Sequence, residues 1–131
     1  MDDQRQNVST SPVRSERREG RRHPVDARAV LHLVSLGSKM HGRVLDLSLG
    51  GCCIRTDERF PLGIFRRVET EFNLQGLPFR LAGVTQSIHD RHLVGIRFLD
   101  VSERKRAQLT RLIDEIEEHL AAGQDPKTSS D

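Results

Sequence analysis

Between Arg67 and Leu74 the chain alternates without a break. Val68, Thr70, Phe72 and Leu74 fall on one face of an extended segment, and Arg67, Glu69, Glu71 and Asn73 on the other. Period-two alternation marks a strand with one buried and one wet face, as in an antiparallel sheet, and no helix satisfies it. Five further segments read as strands: residues 28–34, 39–47, 52–56, 79–89 and a last one in which Val94, Ile96 and Phe98 share a face. Gly37-Ser38, Pro61-Leu62-Gly63, Gly76-Leu77-Pro78 and Asp90-Arg91-His92 punctuate them as turns and loops. Six strands with short connections and one wet face imply a small closed barrel, because closure removes edges that would otherwise pair with another chain. Gly83, inside the fifth strand, is the candidate for a bulge or bend.

After Phe98 the period changes. Leu109, Leu112, Ile113, Ile116 and Leu120 recur at helical spacing and predict an amphipathic helix over residues 102–122. Asp100 with Glu103 has capping-box spacing, Ser102 is the other candidate cap, and Gly123 followed by Pro126 predicts the stop. The apolar stripe must be buried, either on the barrel of the same chain or against the helix of a second chain, so monomer and helix-mediated dimer both satisfy it. The expected organisation is a disordered tail over residues 1–15, a domain over 16–122 and a second tail over 123–131.

The chain carries 21 basic and 19 acidic side chains, for a net charge of +2. So small an excess argues against a nucleic-acid binder, and with no Tyr, no Trp and five Phe there is no stacking platform for bases. No run approaches the roughly 20 apolar residues that a membrane-spanning helix needs, and the first ten residues lack a signal-peptide core. The expected location is therefore cytoplasmic, with no stable membrane insertion. Cys52 and Cys53 are adjacent in a strand and face opposite ways, which argues against a mutual disulfide. His89 and His92 flank a turn without a third ligand, and no Walker glycine run is present. Neither an enzyme nor a metal protein is indicated.

The positive charge is local. Residues 14–22 hold five arginines against two glutamates, and Gly20 and Pro24 keep this arm from forming a stable helix. Arginine forks pair with phosphates and with the O6/N7 edge of guanine. The second polar cluster is Asp46-Leu47-Ser48-Leu49-Gly50-Gly51, between two strands. Asp46 and Ser48 lie two apart and project to one side of an extended chain, and the glycines permit positive φ and close approach of a ligand to backbone amides. A carboxylate complements the N1–H and N2–H₂ edge of guanine. The two clusters together therefore suit a small anionic guanine nucleotide.

The pattern Arg18-x-x-x-Arg22 followed by Asp46-x-Ser48-x-x-Gly51 resembles the two-part signature of the PilZ domain, a bacterial receptor for cyclic di-GMP. The similarity extends through Val94-Gly95-Ile96-Arg97-Phe98 and the closing helix, over roughly residues 16–120. It implies a mostly β fold: a six-stranded antiparallel β-barrel with a C-terminal α-helix and a flexible N-terminal arm. It implies a cyclic di-GMP ligand and no cofactor. Arg18 and Arg22 would meet the phosphates and guanine, Arg17 would add a phosphate or stacking contact, and Asp46 would bind a guanine edge. Ser48 would make a polar contact, while Gly50 and Gly51 would serve the turn. Arg17-x-x-x-Arg21 is an alternative register of the first half. Family members bind one nucleotide or a stacked pair, and a lone domain must pass its signal through a protein partner or a dimer. A nucleotide-independent adaptor is the alternative function, and a nucleic-acid-binding barrel a more distant one.

Overall fold

The computed structural model describes the backbone of residues 21–130 and the side chains of residues 21–119. Six strands are followed by one helix: β1 (His23–Leu33), β2 (Ser38–Leu47), β3 (Gly51–Thr56), β4 (Arg67–Leu74), β5 (Leu77–His89), β6 (Leu93–Phe98) and α1 (Glu103–Ser130). The strands close into a barrel in the order β1-β2-β3-β6-β5-β4, every neighbouring pair antiparallel. The alternation in β4 is realised as expected, with Val68, Thr70 and Phe72 buried and Arg67, Glu71 and Asn73 exposed. Phe72 and Phe79, paired across β4 and β5, stack with ring centroids 5.4 Å apart.

Two features depart from the sequence pattern. The irregularity in β5 lies between Thr85 and Ser87 rather than at Gly83. Gly83 serves close packing instead, since a Cβ there would overlap the Ile96 side chain and the Arg97 carbonyl. β1 starts five residues before the predicted position 28, and its register against β2 shifts between Pro24 and Ala27. Pro24 lacks an N–H, which a strand tolerates near its first residue and beside a bulge, and the pairing therefore survives it.

The apolar stripe of α1 is covered within the chain. Leu109, Leu112, Ile113 and Ile116 are buried and join the same core cluster as Leu31, Val44 and Val94 of the barrel. Ser102 caps the helix, its Oγ accepting from the Lys105 amide at 3.2 Å. Asp100 does not cap; it holds a left-handed turn at φ 51°. Helical backbone continues past Gly123 and Pro126, where the sequence predicts a stop. Gly and Pro disfavour a helix by about 1 and 3 kcal/mol without forbidding it. The long connection between β3 and β4 folds back on the barrel, burying Phe60 and Leu62, whose carbonyls accept from Arg91 Nη2 at 2.7 and 2.8 Å.

Candidate ligand-binding site

The register of β1 on β2 sets the site. His23 lies opposite Leu47 and Pro24 opposite Asp46. Arg22 shares the outward face with Pro24, so its side chain reaches Asp46 diagonally across the strands. Arg22 Nη1 donates to Asp46 Oδ1 at 2.8 Å, with side-chain exposures of 54% and 28%. Two residues 24 apart in the chain are thus one ion pair at the barrel rim.

Asp46 faces outward because β2 is irregular. Gly42 and Val44 are buried, and simple alternation would turn Asp46 inward as well. Against β3, β2 spends two residues from Val44 to Asp46 while its partner spends one. That extra residue flips the parity, so Leu47 enters the core and Asp46 stays accessible.

The turn after Asp46 works differently from the expectation. β2 ends at Leu47, so Ser48 is past the strand and does not share the side of Asp46. It is buried, and its Oγ accepts from the amides of Gly50 and Gly51 at 3.2 and 3.1 Å. The Ser48 amide donates to the Gly51 carbonyl at 2.8 Å. The two glycine amides are therefore directed into the turn. Gly50 is exposed and its carbonyl accepts from the Phe98 amide, which ties the turn to β6. Gly51 has no positive φ; the positive-φ glycines of the described residues are Gly37 and Gly76. Gly is required at 51 because a Cβ would overlap the Ile96 carbonyl oxygen on β6.

Alternation also separates the arginines at the base of the arm. Arg22 points to Asp46, while its neighbours Arg21 and His23 point to the helix. Arg21 Nη1 donates to Glu117 Oε2 at 3.4 Å, and the buried His23 Nε2 meets the same oxygen at 2.8 Å. Of the two spacings in the arm, the one ending at Arg22 leads to Asp46. Arg17 and Arg18 lie outside the described residues, as do the rest of the arm before Arg21 and the expected N-terminal tail.

Two neighbours escaped the sequence reading. Cys53 lies directly opposite Asp46 on β3. Burial pushes its thiol pKa up, the Asp46 carboxylate adds to this, and Arg22 and Arg55 oppose it. Cys52, on the inward face, is raised further by complete burial. Both are kept protonated at neutral pH and neither is set up as a nucleophile. The His23–Glu117 contact is the other; only the earlier start of β1 brings His23 to the helix. Among the described residues no group of His, Cys, Asp or Glu is arranged to hold a metal. No described helix is long and apolar enough to cross a membrane.

The fold is a closed six-stranded barrel with a packed C-terminal helix and an arginine–aspartate pair at its rim. The family model of the PilZ domain matches residues 14–115, and the chain belongs to that family of cyclic di-GMP receptor domains, which are non-catalytic. Solved structures agree. The PilZ domain of YcgR from Escherichia coli with c-di-GMP is 24% identical, with a TM-score of 0.66 over 80% of this chain and 95% of that one. YcgR from Escherichia coli in complex with c-di-GMP is 27% identical, with a TM-score of 0.69 over 81% of this chain and 48% of that one. The PilZ domain of CeSA from a cellulose-synthesizing bacterium is 16% identical, with a TM-score of 0.62 over 75% and 99%. No curated protein matches the chain.

Proposed function

We propose that this chain is a cyclic di-GMP receptor whose N-terminal arm folds over the ligand at the barrel rim and passes the signal to a protein partner in the cytoplasm. The observation that carries the reading is the 2.8 Å pair of Arg22 with Asp46, which joins the two halves of the signature at one point of the surface. Both groups are partly exposed and open to exchange partners.

In this mechanism Arg22 leaves Asp46, or shares it, to hold a phosphate of the nucleotide, and Arg18 and Arg17 bring further forks from the arm. Asp46 accepts from the guanine N1–H and N2–H₂ edge. Ser48 acts on the ligand by fixing the turn through its bonds to Gly50 and Gly51. Ordering the arm costs about 1–2 kcal/mol per residue in backbone entropy, and charge-assisted hydrogen bonds of about 1.5–3 kcal/mol each offset it. Arg21 and His23 stand on Glu117 of α1, so movement of the arm base reaches the helix.

Calorimetric titration with cyclic di-GMP, with GTP and linear pGpG as controls, tests the proposal. Micromolar or tighter binding selective for the cyclic form is expected, and the stoichiometry distinguishes one nucleotide from a stacked pair. A folded, nucleotide-free sample that gives neither heat nor a thermal shift overturns the receptor reading in favour of a nucleotide-independent adaptor.

A further inference from the structure

At the end of the barrel opposite Asp46, four large apolar side chains stand in solvent. Val34 and Leu36 lie in the β1–β2 turn, Ile64 and Phe65 in the β3–β4 loop, with Phe65 71% exposed. The register makes the two segments neighbours. Leu33 pairs with Val68, so the chain leaving β1 meets the chain entering β4. The Arg22–Asp46 pair sits at the start of β1 and the end of β2, far from this patch.

The exposure is built in. The same loop buries Phe60 and Leu62 and then turns Ile64 and Phe65 outward. Phe65 is held at φ 63°, a left-handed conformation unusual for a bulky residue. Thr85 keeps it there. The Phe65 amide donates to the Thr85 carbonyl at 2.7 Å, and the Thr85 amide to the Arg66 carbonyl at 3.0 Å. The Arg66 amide donates to Thr85 Oγ1, which itself donates to the Gly63 carbonyl at 2.8 Å. A loop clamped so firmly with its aromatic ring in water marks an interaction surface.

The rim of the patch is basic. Arg66 and Arg67 follow Phe65 directly, and Lys39 lies one residue beyond the Leu33–Ser38 pair; all three are exposed. The carboxylates next along β4 share the outward face of Arg67 but are already partnered, Glu69 by Arg80 at 2.9 Å and Glu71 by His32 at 2.8 Å, with Lys39 also acting on Glu71. Asp57 and Glu58 belong to the opposite limb of the loop, beside β2 and β6, where the Asp57 amide donates to the His41 carbonyl and the Thr56 amide to the His92 carbonyl. A second copy of this chain would set the three cations against their own counterparts. An anionic surface with an apolar layer beneath complements both the rim and the tips, and two loop tips at one end of a barrel reach one plane together.

We propose that this end of the barrel docks on an anionic lipid surface, with Phe65, Ile64, Leu36 and Val34 entering the interface and Arg66, Arg67 and Lys39 meeting headgroup phosphates. Docking is peripheral and independent of the nucleotide site.

The chain has no tryptophan, so Phe65→Trp supplies a single reporter in the 131-residue chain. Vesicles of phosphatidylcholine mixed with phosphatidylglycerol are expected to shift its emission to the blue, and vesicles of phosphatidylcholine alone are not. In sedimentation with the mixed vesicles, Phe65→Asn is expected to lower binding by about tenfold or more. Its melting temperature should hold or rise, because Asn accepts a positive φ better than Phe. Unshifted emission overturns the proposal. So does equal binding of Phe65→Asn and wild type, which assigns any attachment to the arginine arm, or equal binding to the two kinds of vesicle.

Discussion

Replacing Arg22 or Asp46 by alanine separates the two jobs of the pair. The groups are 54% and 28% exposed, so their mutual attraction is screened and contributes about 0–1 kcal/mol to stability. Either alanine variant should therefore melt within a few degrees of wild type. Binding is a different quantity. Each side chain in the proposed complex makes a charge-assisted hydrogen bond to the nucleotide, and losing about 1.5–3 kcal/mol weakens affinity about tenfold to a hundredfold. The two losses should be unequal. Asp46→Ala removes the guanine acceptor but releases Arg22 for a phosphate, which returns part of the loss and leaves it near tenfold. Arg22→Ala removes a fork and also leaves the Asp46 carboxylate uncompensated beside the phosphates, which carries its loss toward a hundredfold. Calorimetric titration of both variants with cyclic di-GMP, with thermal melts on the same samples, reads all four numbers. Wild-type affinity in Asp46→Ala would sink the assignment of Asp46 as a ligand contact. A large fall in melting temperature with either variant would show the pair to be structural.

Gly51→Ala should destabilise the barrel by about 1–3 kcal/mol, because β3 must retreat from the Ile96 carbonyl, whereas Gly50→Ala, at an exposed turn position, should change little; denaturant melts of the two variants check this. Glu117→Ala takes away the partner of the buried His23 Nε2 and should lower stability by about 1–3 kcal/mol in thermal melts, while Glu117→Gln, which keeps an acceptor, should retain most of it.

The strands were legible because their signal is local. In β4 and β6 one side chain in two meets the core, and the sequence alone carries that period. The stripe of α1 was legible for the same reason, with Leu109, Leu112, Ile113 and Ile116 all buried. What escaped depends on pairing between distant segments. The early start of β1 follows from its register on β2, which continues through Pro24 to His23 although nothing local marks residues 23–27 as a strand. Only that register brings His23 to Glu117, 94 positions away. The clamp on Phe65 is likewise made by Thr85, a strand residue of unremarkable local context.

The signature residues show the same division at atomic scale. Asp46-x-Ser48-x-x-Gly51 reads as a row of ligand contacts if the chain is taken as regularly extended. The chain is not regular there. One extra residue in β2 turns Asp46 outward, and the end of the strand one residue later lets Ser48 turn inward. The serine then spends its Oγ on the amides of Gly50 and Gly51, and Gly51 is demanded by the proximity of β6. Two of the three motif positions in this half of the site, Ser48 and Gly51, therefore shape the turn, and the third, Asp46, is the group the turn presents. Arg22 meets it because β1 and β2 pair one residue beyond its own position. The motif thus encodes a rim geometry first and a contact list second, so substitutions that deform the turn should reduce ligand binding without touching the ligand.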